Sequence, residues 1–339
     1  MTDTEARRYT RSDFQSDQEV RWCPGCGDYA ILASVQSFLA EVGLDPEKVV
    51  FVSGIGCSSR FPYYINTYGF HGIHGRAPAV ATGIALANPD LSVWVVTGDG
   101  DALSIGGNHF IHSIRRNLNI KILLFNNRIY GLTKGQYSPT SEVGKRTKSS
   151  PAGSIDTPFN PVSLALGAEA AFVARTIDTD RTLTMEVLRR AHRHRGTAFI
   201  EIYQRCHVFN DHAFVALTGK EERLENRINL RHGKPIVFGR HDEKGVVLRA
   251  GGAQVVEVAE VGLDALHVHD EHAPDPSAAF ALSRLSPGPQ APTPMGVFRD
   301  VQRPLYEDEL QRQVRDAQQQ RGPADLSELI RQTGTWTVD

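Results

Sequence analysis

The sequence predicts an α/β fold, a mostly parallel sheet with helices on both faces, followed by an irregular C-terminal extension. The first observation is that short apolar segments alternate with segments of helical periodicity between residues 28 and 203. The second is that these short segments are apolar throughout, which is typical of strands buried on both faces of a parallel sheet. The third is a change of character after about residue 210, with a stretch at 267–294 that is rich in Pro, Ala, Asp and His.

The predicted elements follow one another in order along the chain. A helix is expected over 28–42, because apolar residues recur there at helical spacing and Gly43 ends the run. A strand is expected over 49–53, where VVFVS is β-branched and is closed by Gly54. The further predicted strands are 93–97, 120–125, 171–176 and 198–203, and the further predicted helices are 107–116, 161–166 and 183–194.

This pattern divides the chain into three parts. They are a polar N-terminal arm at 1–20, expected to be mobile, an α/β domain at 21–210, and an extension at 211–339 that is expected to form an interface or a cover. Within the domain, residues 130–154 lack periodicity and are rich in Gly, Ser, Thr and Pro. A loop of that length inside a compact domain is usually functional or mobile.

Composition excludes several classes of protein. The 37 Lys and Arg residues nearly balance the 39 Asp and Glu residues, so the charge does not indicate a nucleic-acid partner. No apolar run approaches the roughly 20 residues of a membrane span, and the N-terminus lacks the apolar core of a signal peptide. Four cysteines are too few for a disulfide scaffold, so a reducing, cytoplasmic location is expected.

Two turns that follow predicted strands carry oxygen ligands. The GDGD segment at 98–101 follows one strand, and Asn126-Asn127 closes the next. Parallel strands place their carboxyl ends at one edge of a sheet, so Asp99 and Asn127 are expected to converge on a hard cation such as Mg²⁺ and a diphosphate. Each segment alone is more often an ordinary turn. Their spacing within one strand–helix–strand unit favours the metal site.

The same glycines do not fit a nucleotide-binding fingerprint. Ser59 stands where the third Gly of G-x-G-x-x-G would follow the segment at 54–56, and Leu103 stands there for the segment at 98–100. No G-x-x-x-x-G-K-[ST] segment occurs. NAD and nucleoside triphosphates are therefore not indicated.

The four cysteines form one close pair and two singletons. Cys23 and Cys26 lie on a tight C-P-G-C turn, whereas Cys57 and Cys206 each follow a predicted strand. A zinc ribbon would normally present a second close pair, and four thiolates also suit an iron–sulfur cluster. Free cysteines are, in addition, often small buried apolar residues. Spacing alone leaves the cluster, the zinc site and unligated cysteines open.

Five motifs then occur together and in order, and they indicate a family. They are WCPGCGDYAIL (22–32), GIGCSSR (54–60), HGIHGRAPAVATGIALANP (71–89), GDGDALSIGGNH (98–109) and NNRIYGLTKGQYSPTS (126–141). With them the chain resembles the β subunits of 2-oxoacid:ferredoxin oxidoreductases, and among these the 2-oxoglutarate branch, through about residue 215. The segment RHGKPIVFG (231–239) resembles the C-terminal region of these subunits more loosely.

The resemblance implies a thiamine diphosphate-binding fold and an activity. The expected cofactors are thiamine diphosphate, Mg²⁺ and one [4Fe–4S] cluster. The expected reaction is oxidative decarboxylation of a 2-oxoacid, with 2-oxoglutarate favoured over pyruvate, to an acyl-CoA and CO₂. Coenzyme A takes the acyl group, electrons pass through the cluster to ferredoxin, and the reaction is expected to be reversible.

The resemblance also implies roles for individual residues. Asp99 and Asn127 match the side-chain ligands of Mg²⁺, and Ile129 matches a carbonyl ligand. Lys134 matches a position that meets the carboxylate of the substrate, and His74 is expected to line the cofactor and take part in catalysis. The positions that match cluster ligands are Cys23, Cys26, Cys57 and Cys206. The positions that match cofactor contacts are Ile55, Gly56, Cys57, Ser58, His74, Gly75, Arg76, Gly98, Asp99, Gly100, Asp101, Asn127, Ile129, Gly131 and Leu132.

One absence implies a partner. Thiamine enzymes need a Glu beside the aminopyrimidine ring of the cofactor, and the family that this chain resembles takes that Glu from another subunit. No Glu lies in the cofactor motifs of this chain. The chain is therefore expected to work only with an α subunit, or a fused γα subunit, as αβ or (αβ)₂. Two alternatives remain: a non-oxidative thiamine diphosphate-dependent decarboxylase or carboligase subunit, and a zinc-stabilised structural or interaction protein.

Overall fold

The computed structural model describes residues 8–285, 291–336 and 338. The strands are β1 (Val49–Ser53), β2 (Tyr68–His71), β3 (Ser92–Gly98), β4 (Ile120–Asn126), β5 (Phe172–Ile177), β6 (Ala198–Tyr203), β7 (Arg227–Asn229), β8 (Val237–Phe238), β9 (Lys244–Arg249), β10 (Gly252–Glu257) and β11 (Thr293–Asp300). The α-helices are α1 (Asp28–Val42), α2 (Ala77–Ala87), α3 (Asp99–Leu103), α4 (Gly107–Arg116), α5 (Pro161–Gly167), α6 (Arg181–Arg193), α7 (Val215–Thr218), α8 (Glu222–Asn226), α9 (Val258–Val261), α10 (Ser277–Ser283), α11 (Tyr306–Arg321) and α12 (Leu326–Arg331). Short 3₁₀ helices cover Arg11–Phe14, Pro46–Lys48, Ser58–Tyr63 and Leu263–Ala265.

The central sheet has eight strands in the order β2-β1-β3-β4-β6-β5-β11-β7. The pairs from β2 to β5 are all parallel. At the other edge, β11 runs antiparallel to β5 and pairs in parallel with β7. The sheet is therefore mostly parallel, which confirms the predicted fold class.

Helices cover both faces of this sheet because its central strands have no polar side. Trp94 and Val96 of β3 pack in one hydrophobic cluster with side chains of α1 and α6, including Phe38 and Leu188. Val95 packs on the opposite face in a second cluster that takes side chains from α2, α4, α5 and α10. Every residue of β1, β4, β5 and β6 is buried, as predicted from their continuous apolar sequences.

The predicted helices and strands are confirmed within two residues at each end. The predictions at 28–42, 49–53, 107–116 and 198–203 match the observed bounds. Gly43 ends α1 in the left-handed conformation with φ of 68°, as expected for the residue after a helix. Within the domain at 21–210, β2, α2 and α3 were not predicted, and α3 begins in the segment that was expected to be a turn. All four residues of β2 are exposed, and α2 is rich in Ala and Gly, so neither has a clear apolar periodicity.

The extension at 211–339 is the main difference from the prediction, because much of it is regular. Seven residues of β11 are fully buried within the central sheet, and β8, β9 and β10 form a separate three-stranded sheet. Pro, Gly and Arg interrupt the apolar pattern of β11, which hides the strand in the sequence. Arg299 is nonetheless buried, because its guanidinium donates to the carbonyls of Ala170 (2.8 Å) and Pro274 (2.6 Å).

The N-terminal arm also differs where it is described. Phe14 is completely buried, and the Asn66 side chain donates to the carbonyl of Asp13 at 2.9 Å. Residues 8–20 thus include an anchored segment instead of the expected mobile arm, whereas residues 1–7 lie outside the described residues. Among the described helices, none is long and apolar enough to cross a membrane.

A buried ion pair provides a stability test. Arg175 and Glu201, on neighbouring strands β5 and β6, lie 2.6 Å apart with side-chain exposures of 2% and 0%. Glu201→Gln is expected to lower the free energy of unfolding by about 3–5 kcal/mol, because it leaves a buried guanidinium without its counter-charge. Urea unfolding followed by far-UV circular dichroism measures the loss.

The matched control is the exposed pair of Arg189 with Glu41, whose side chains are 38% and 46% exposed. Glu41→Gln is expected to cost less than about 1 kcal/mol. Equal losses from the two substitutions would contradict the assigned role of the buried pair.

Candidate active site

The register of the parallel strands brings the predicted site segments to one edge of the sheet. Gly98 at the end of β3 pairs with Phe125 of β4, and Asn126 pairs with Tyr203 at the end of β6. The residues that follow each strand therefore lie side by side. They border a cavity of about 460 Å³ lined by Ile55, Gly56, Cys57, Ser58, His74, Gly98, Asp99, Gly100, Asp101, Ser104, Ile105, Phe125, Asn127, Ile129, Tyr130, Gly131, Leu132, Thr133 and Gln136. We call it the edge cavity.

Asp99 is a buried carboxylate held by two hydroxyl groups. Its Oδ2 accepts hydrogen bonds from Ser138 at 2.5 Å and from Thr140 at 2.6 Å. Burial raises the pKa of the Asp99 carboxyl, and the two hydroxyl donors oppose this rise. A divalent cation beside the carboxylate would favour the ionised form further, so the surroundings of Asp99 fit a metal ligand.

Asn127 has a fixed orientation at the same edge. Its Nδ2 donates to Gln204 Oε1 at 2.9 Å, and its Oδ1 accepts from the backbone N–H of Ile129 at 3.2 Å. Together with Asp99 and the carbonyl of Ile129, this amide supplies the oxygen donors that Mg²⁺ prefers. The residues predicted as Mg²⁺ ligands thus line one cavity.

The Asp101 carboxylate accepts hydrogen bonds from three groups of this chain. It lines the edge cavity, but its Oδ1 accepts from the backbone N–H groups of Ile55 (3.1 Å) and Gly75 (2.7 Å). Its Oδ2 accepts from the Thr97 hydroxyl at 2.8 Å. Asp101 therefore fixes two loops against β3, and a diphosphate-binding role for it stays a prediction.

Gly100 is required by close packing. A Cβ atom at this position would lie 2.1 Å from Cε1 of Tyr130, whose hydroxyl donates to the Gly100 carbonyl at 3.3 Å. The loop after β4 thus covers the start of α3 directly. No other residue allows so close an approach of backbone and ring.

A second, smaller cavity contains all four cysteines. It has a volume of about 210 Å³, and we call it the cysteine cavity. It shares Cys57, Asn127, Gly131 and Leu132 with the edge cavity. A Cβ atom on Gly131 would lie 3.5 Å from the sulfur of Cys57 and 3.6 Å from that of Cys206, so glycine keeps space open between two predicted cluster ligands.

A single zinc ion would require closely spaced sulfurs. Zn–S bonds of about 2.3 Å in a tetrahedron place the sulfurs about 3.8 Å apart. In the described part of the chain, no three cysteine sulfurs lie within 4.8 Å of one another. No three of the described cysteines are therefore as close together as the ligands of one tetrahedral zinc ion.

Cys26, Cys57 and Cys206 are half-buried, whereas Cys23 is exposed. Burial raises the pKa of the Cys57 thiol to about 12 and also raises the pKa values of Cys26 and Cys206. Asp28 is buried beside Cys26, and burial raises the pKa of its carboxyl to about 7. These raised pKa values favour the protonated thiols. Metal ligation would favour the thiolates instead, because a coordinated thiol loses its proton.

Gln204 connects the two cavities and was missed by sequence analysis. Its Oε1 accepts from Asn127, while its Nε2 lies 3.2 Å from the sulfur of Cys26 and donates to the carbonyl of Arg205 at 2.6 Å. Gln204 directly follows β6, so the strand-end rule that selected the other turns would have found it. Ser138 and Thr140 were missed as well, since nothing local marks the hydroxyls of a loop as partners of Asp99.

Three predicted site residues do not line the edge cavity. They are Gly75, Arg76 and Lys134, and the Arg76 guanidinium donates to the carbonyl of His74 at 3.2 Å. Lys134 is exposed, lines the cysteine cavity and has a left-handed backbone conformation with φ of 74°. The remaining predicted cofactor contacts line the edge cavity, and all predicted cluster ligands line the cysteine cavity.

Comparison with known proteins defines the class first. The family model described as the thiamine pyrophosphate enzyme, C-terminal TPP binding domain, matches residues 54–202. This range begins directly after β1, contains β2, β3, β4 and β5, and includes every residue that lines the edge cavity. The fold is thus that of a thiamine diphosphate-binding domain.

Individual relatives define the family. The chain is 62% identical over 331 residues to 2-oxoglutarate oxidoreductase subunit KorB of Mycobacterium tuberculosis, covering 96% of this chain and 88% of that protein. It is 47% identical over 214 residues to 2-oxoacid:ferredoxin oxidoreductase 2, subunit beta, of Aeropyrum pernix, covering 62% of this chain and 68% of that one. A solved 2-oxoglutarate:ferredoxin oxidoreductase from Magnetococcus marinus, with 2-oxoglutarate, coenzyme A and succinyl-CoA bound, matches 98% of both chains at 32% identity with a TM-score of 0.78. The chain belongs to the family of 2-oxoacid:ferredoxin oxidoreductase β subunits, as predicted.

Removing the Asp101 carboxylate tests how the site loops are fixed. Asp101→Ala is expected to speed amide hydrogen exchange in residues 54–58 and 73–76, because the Ile55 and Gly75 N–H groups lose their acceptor. Hydrogen–deuterium exchange mass spectrometry measures the change. Asp90→Ala, at an exposed turn, is the control and should leave both segments unchanged. Unchanged exchange in Asp101→Ala would contradict this role.

Proposed function

We propose that this chain is the β subunit of a 2-oxoglutarate:ferredoxin oxidoreductase that works with an α, or fused γα, subunit. The proposed reaction joins a 2-oxoacid and coenzyme A to give an acyl-CoA and CO₂, and its two electrons pass to ferredoxin. Pyruvate is the competing substrate. The reaction is proposed to run in either direction, in the cytoplasm.

The observation that carries this proposal is the wall shared by the two cavities. Cys57, Asn127, Gly131 and Leu132 border both of them. Thiamine diphosphate, when bound, supplies the electron sink for decarboxylation, and a [4Fe–4S] cluster accepts electrons singly. A non-oxidative decarboxylase or carboligase has no use for four cysteines beside its cofactor, so the adjoining cavities favour the oxidative reaction.

The residues of the edge cavity suit the proposed cofactor. Asp99, Asn127 and the carbonyl of Ile129 would hold Mg²⁺, and Gly98 and Gly100 let the backbone approach a diphosphate. The other proposed contacts are Ile55, Gly56, Cys57, Ser58, His74, Gly75, Arg76, Asp101, Gly131 and Leu132. His74 lines this cavity and is the proposed proton carrier.

The residues of the cysteine cavity suit the proposed cluster. Cys23 and Cys26 lie on one turn, closed by a hydrogen bond from the Cys26 N–H to the Cys23 carbonyl at 3.0 Å. The Trp22 indole donates to the Cys57 carbonyl at 2.7 Å, and this hydrogen bond fixes the backbone of Cys57, the third proposed ligand. Lys134 on the same cavity is proposed to meet the carboxylate of the 2-oxoacid.

An exposed apolar surface beside the edge cavity supports an α partner. The edge strand β2 is exposed at all four residues, with Tyr68 at 60% and Phe70 at 48% exposure. Ile105 and Leu132, which line the cavity, are 59% and 44% exposed. Exposed apolar patches of this kind commonly bind other proteins, and sheet edges left open are usually covered.

The cluster is tested by colour and metal content. The chain, purified anaerobically with its partner, is expected to be brown and to hold about four iron atoms in this cavity. Cys206→Ala should lose most of this iron and the visible absorption. Lys134→Ala is the control from the same cavity: it should keep the iron while raising KM for the 2-oxoacid. A colourless protein that holds zinc would contradict the cluster.

The Mg²⁺ site is tested by Asp99→Asn. The amide keeps an oxygen for Ser138 and Thr140 but loses the charge, so Mg²⁺-dependent retention of thiamine diphosphate by the complex should fall by about tenfold or more. Chromatographic assay of thiamine diphosphate after gel filtration measures retention. Asp90→Asn serves as the exposed control, and equal retention in both variants would refute the assignment.

A further inference from the structure

Two loops of the C-terminal extension contact each other outside the edge cavity and the cysteine cavity. The segment at 231–234 and the His-rich segment at 267–272 exchange backbone hydrogen bonds. The Gly233 N–H donates to the His269 carbonyl at 2.8 Å, and the His269 N–H donates to the Lys234 carbonyl at 3.0 Å. The loops are thereby fixed relative to each other.

The contact brings three metal-binding side chains together. Ligand atoms of His232, Glu271 and His272 all lie within 4.8 Å of one another. His272 Nε2 lies 3.5 Å from Glu271 Oε1. Zn–N and Zn–O bonds of about 2.0–2.1 Å in a tetrahedron place neighbouring ligands about 3.3 Å apart. The distance between His272 and Glu271 is close to this value, and the other two distances are no longer than 4.8 Å.

Hydrogen bonds orient two of these side chains as they do in metal sites. His272 Nδ1 lies 2.7 Å from the carbonyl of Asp300, so this nitrogen carries the proton and Nε2 presents its lone pair. The Glu271 carboxylate is held by Arg190 through two hydrogen bonds of 3.0 and 2.8 Å. Outer partners of this kind fix the tautomer and orientation of metal ligands.

The charge around the three side chains favours a cation. Asp270 Oδ1 lies 3.5 Å from His232 Nδ1, which places a second carboxylate at the group. The Asp300 carboxylate shares Arg190 with Glu271 and lies 3.1 Å from its guanidinium. Arg190 contacts two of the three carboxylates, those of Glu271 and Asp300, so the carboxylates outnumber this guanidinium.

We propose that His232, Glu271 and His272 form a Zn²⁺ site, with Asp270 or water as the fourth ligand. Two imidazoles and a carboxylate suit zinc, whereas Mg²⁺ and Ca²⁺ prefer oxygen donors. The ion joins the turn after β7 to the segment before α10, and through Glu271 and Arg190 it connects both to α6. The site is independent of the cysteine cavity and of the proposed function.

Zinc binding by the anaerobically purified full-length chain with its partner is the test. Zinc is measured by mass spectrometry after equilibrium dialysis against Zn²⁺ buffered by a competing chelator. His232→Ala and His272→Ala are each expected to weaken zinc binding by about tenfold or more. His241→Ala, an exposed histidine of the same extension, is the control and should bind as the unchanged protein does. Added Zn²⁺ should also raise Tm of the unchanged protein and the control, but not of the two variants.

Three results would overturn the site. The first is equal zinc binding by all four proteins. The second is competition by Mg²⁺ at concentrations similar to that of zinc, which would indicate a simple carboxylate cluster. The third is zinc uptake only with loss of the visible absorption, which would place the ion at the cysteines.

Discussion

The parallel register of β3, β4 and β6 is the constraint on which the site depends. Because Gly98 pairs with Phe125 and Asn126 pairs with Tyr203, the residues after these strands fall beside one another. Asp99, Asn127 and Gln204 become neighbours although more than a hundred residues separate the first from the last. A shift of one residue would turn every side chain of the shifted strand to the other face of the sheet and separate these groups.

A chain of buried polar contacts extends this constraint into the sheet. Thr140 contacts both Asp99 and Asn126, Asn126 donates to Glu201 at 2.7 Å, and Glu201 is paired with Arg175. Each group satisfies the next in a region that water does not reach, where an unpaired member would be costly. The carboxylate at the cavity is therefore positioned from the middle of the sheet and not only by its own turn.

The sequence predicts those features that depend on local pattern. The helix at 107–116 and the strand at 198–203 follow from periodicity, and the convergence of Asp99 with Asn127 follows from the strand-end rule. Partners contributed by distant segments leave no local trace, which is why Ser138 and Thr140 were missed. The strand β11 was missed for the same reason, because it forms a strand through pairing with β5, which is distant in the sequence.

The position of β11 in the chain has a consequence for synthesis. Residues 293–300 pair with β5 at an inner position of the sheet, yet they are made more than a hundred residues later. Until they emerge from the ribosome, β5 has an open apolar edge, and such an edge is a template for incorrect pairing. The extension thus completes the sheet last, so translation that stops before residue 300 leaves an aggregation-prone product even though every residue of the edge cavity has been made.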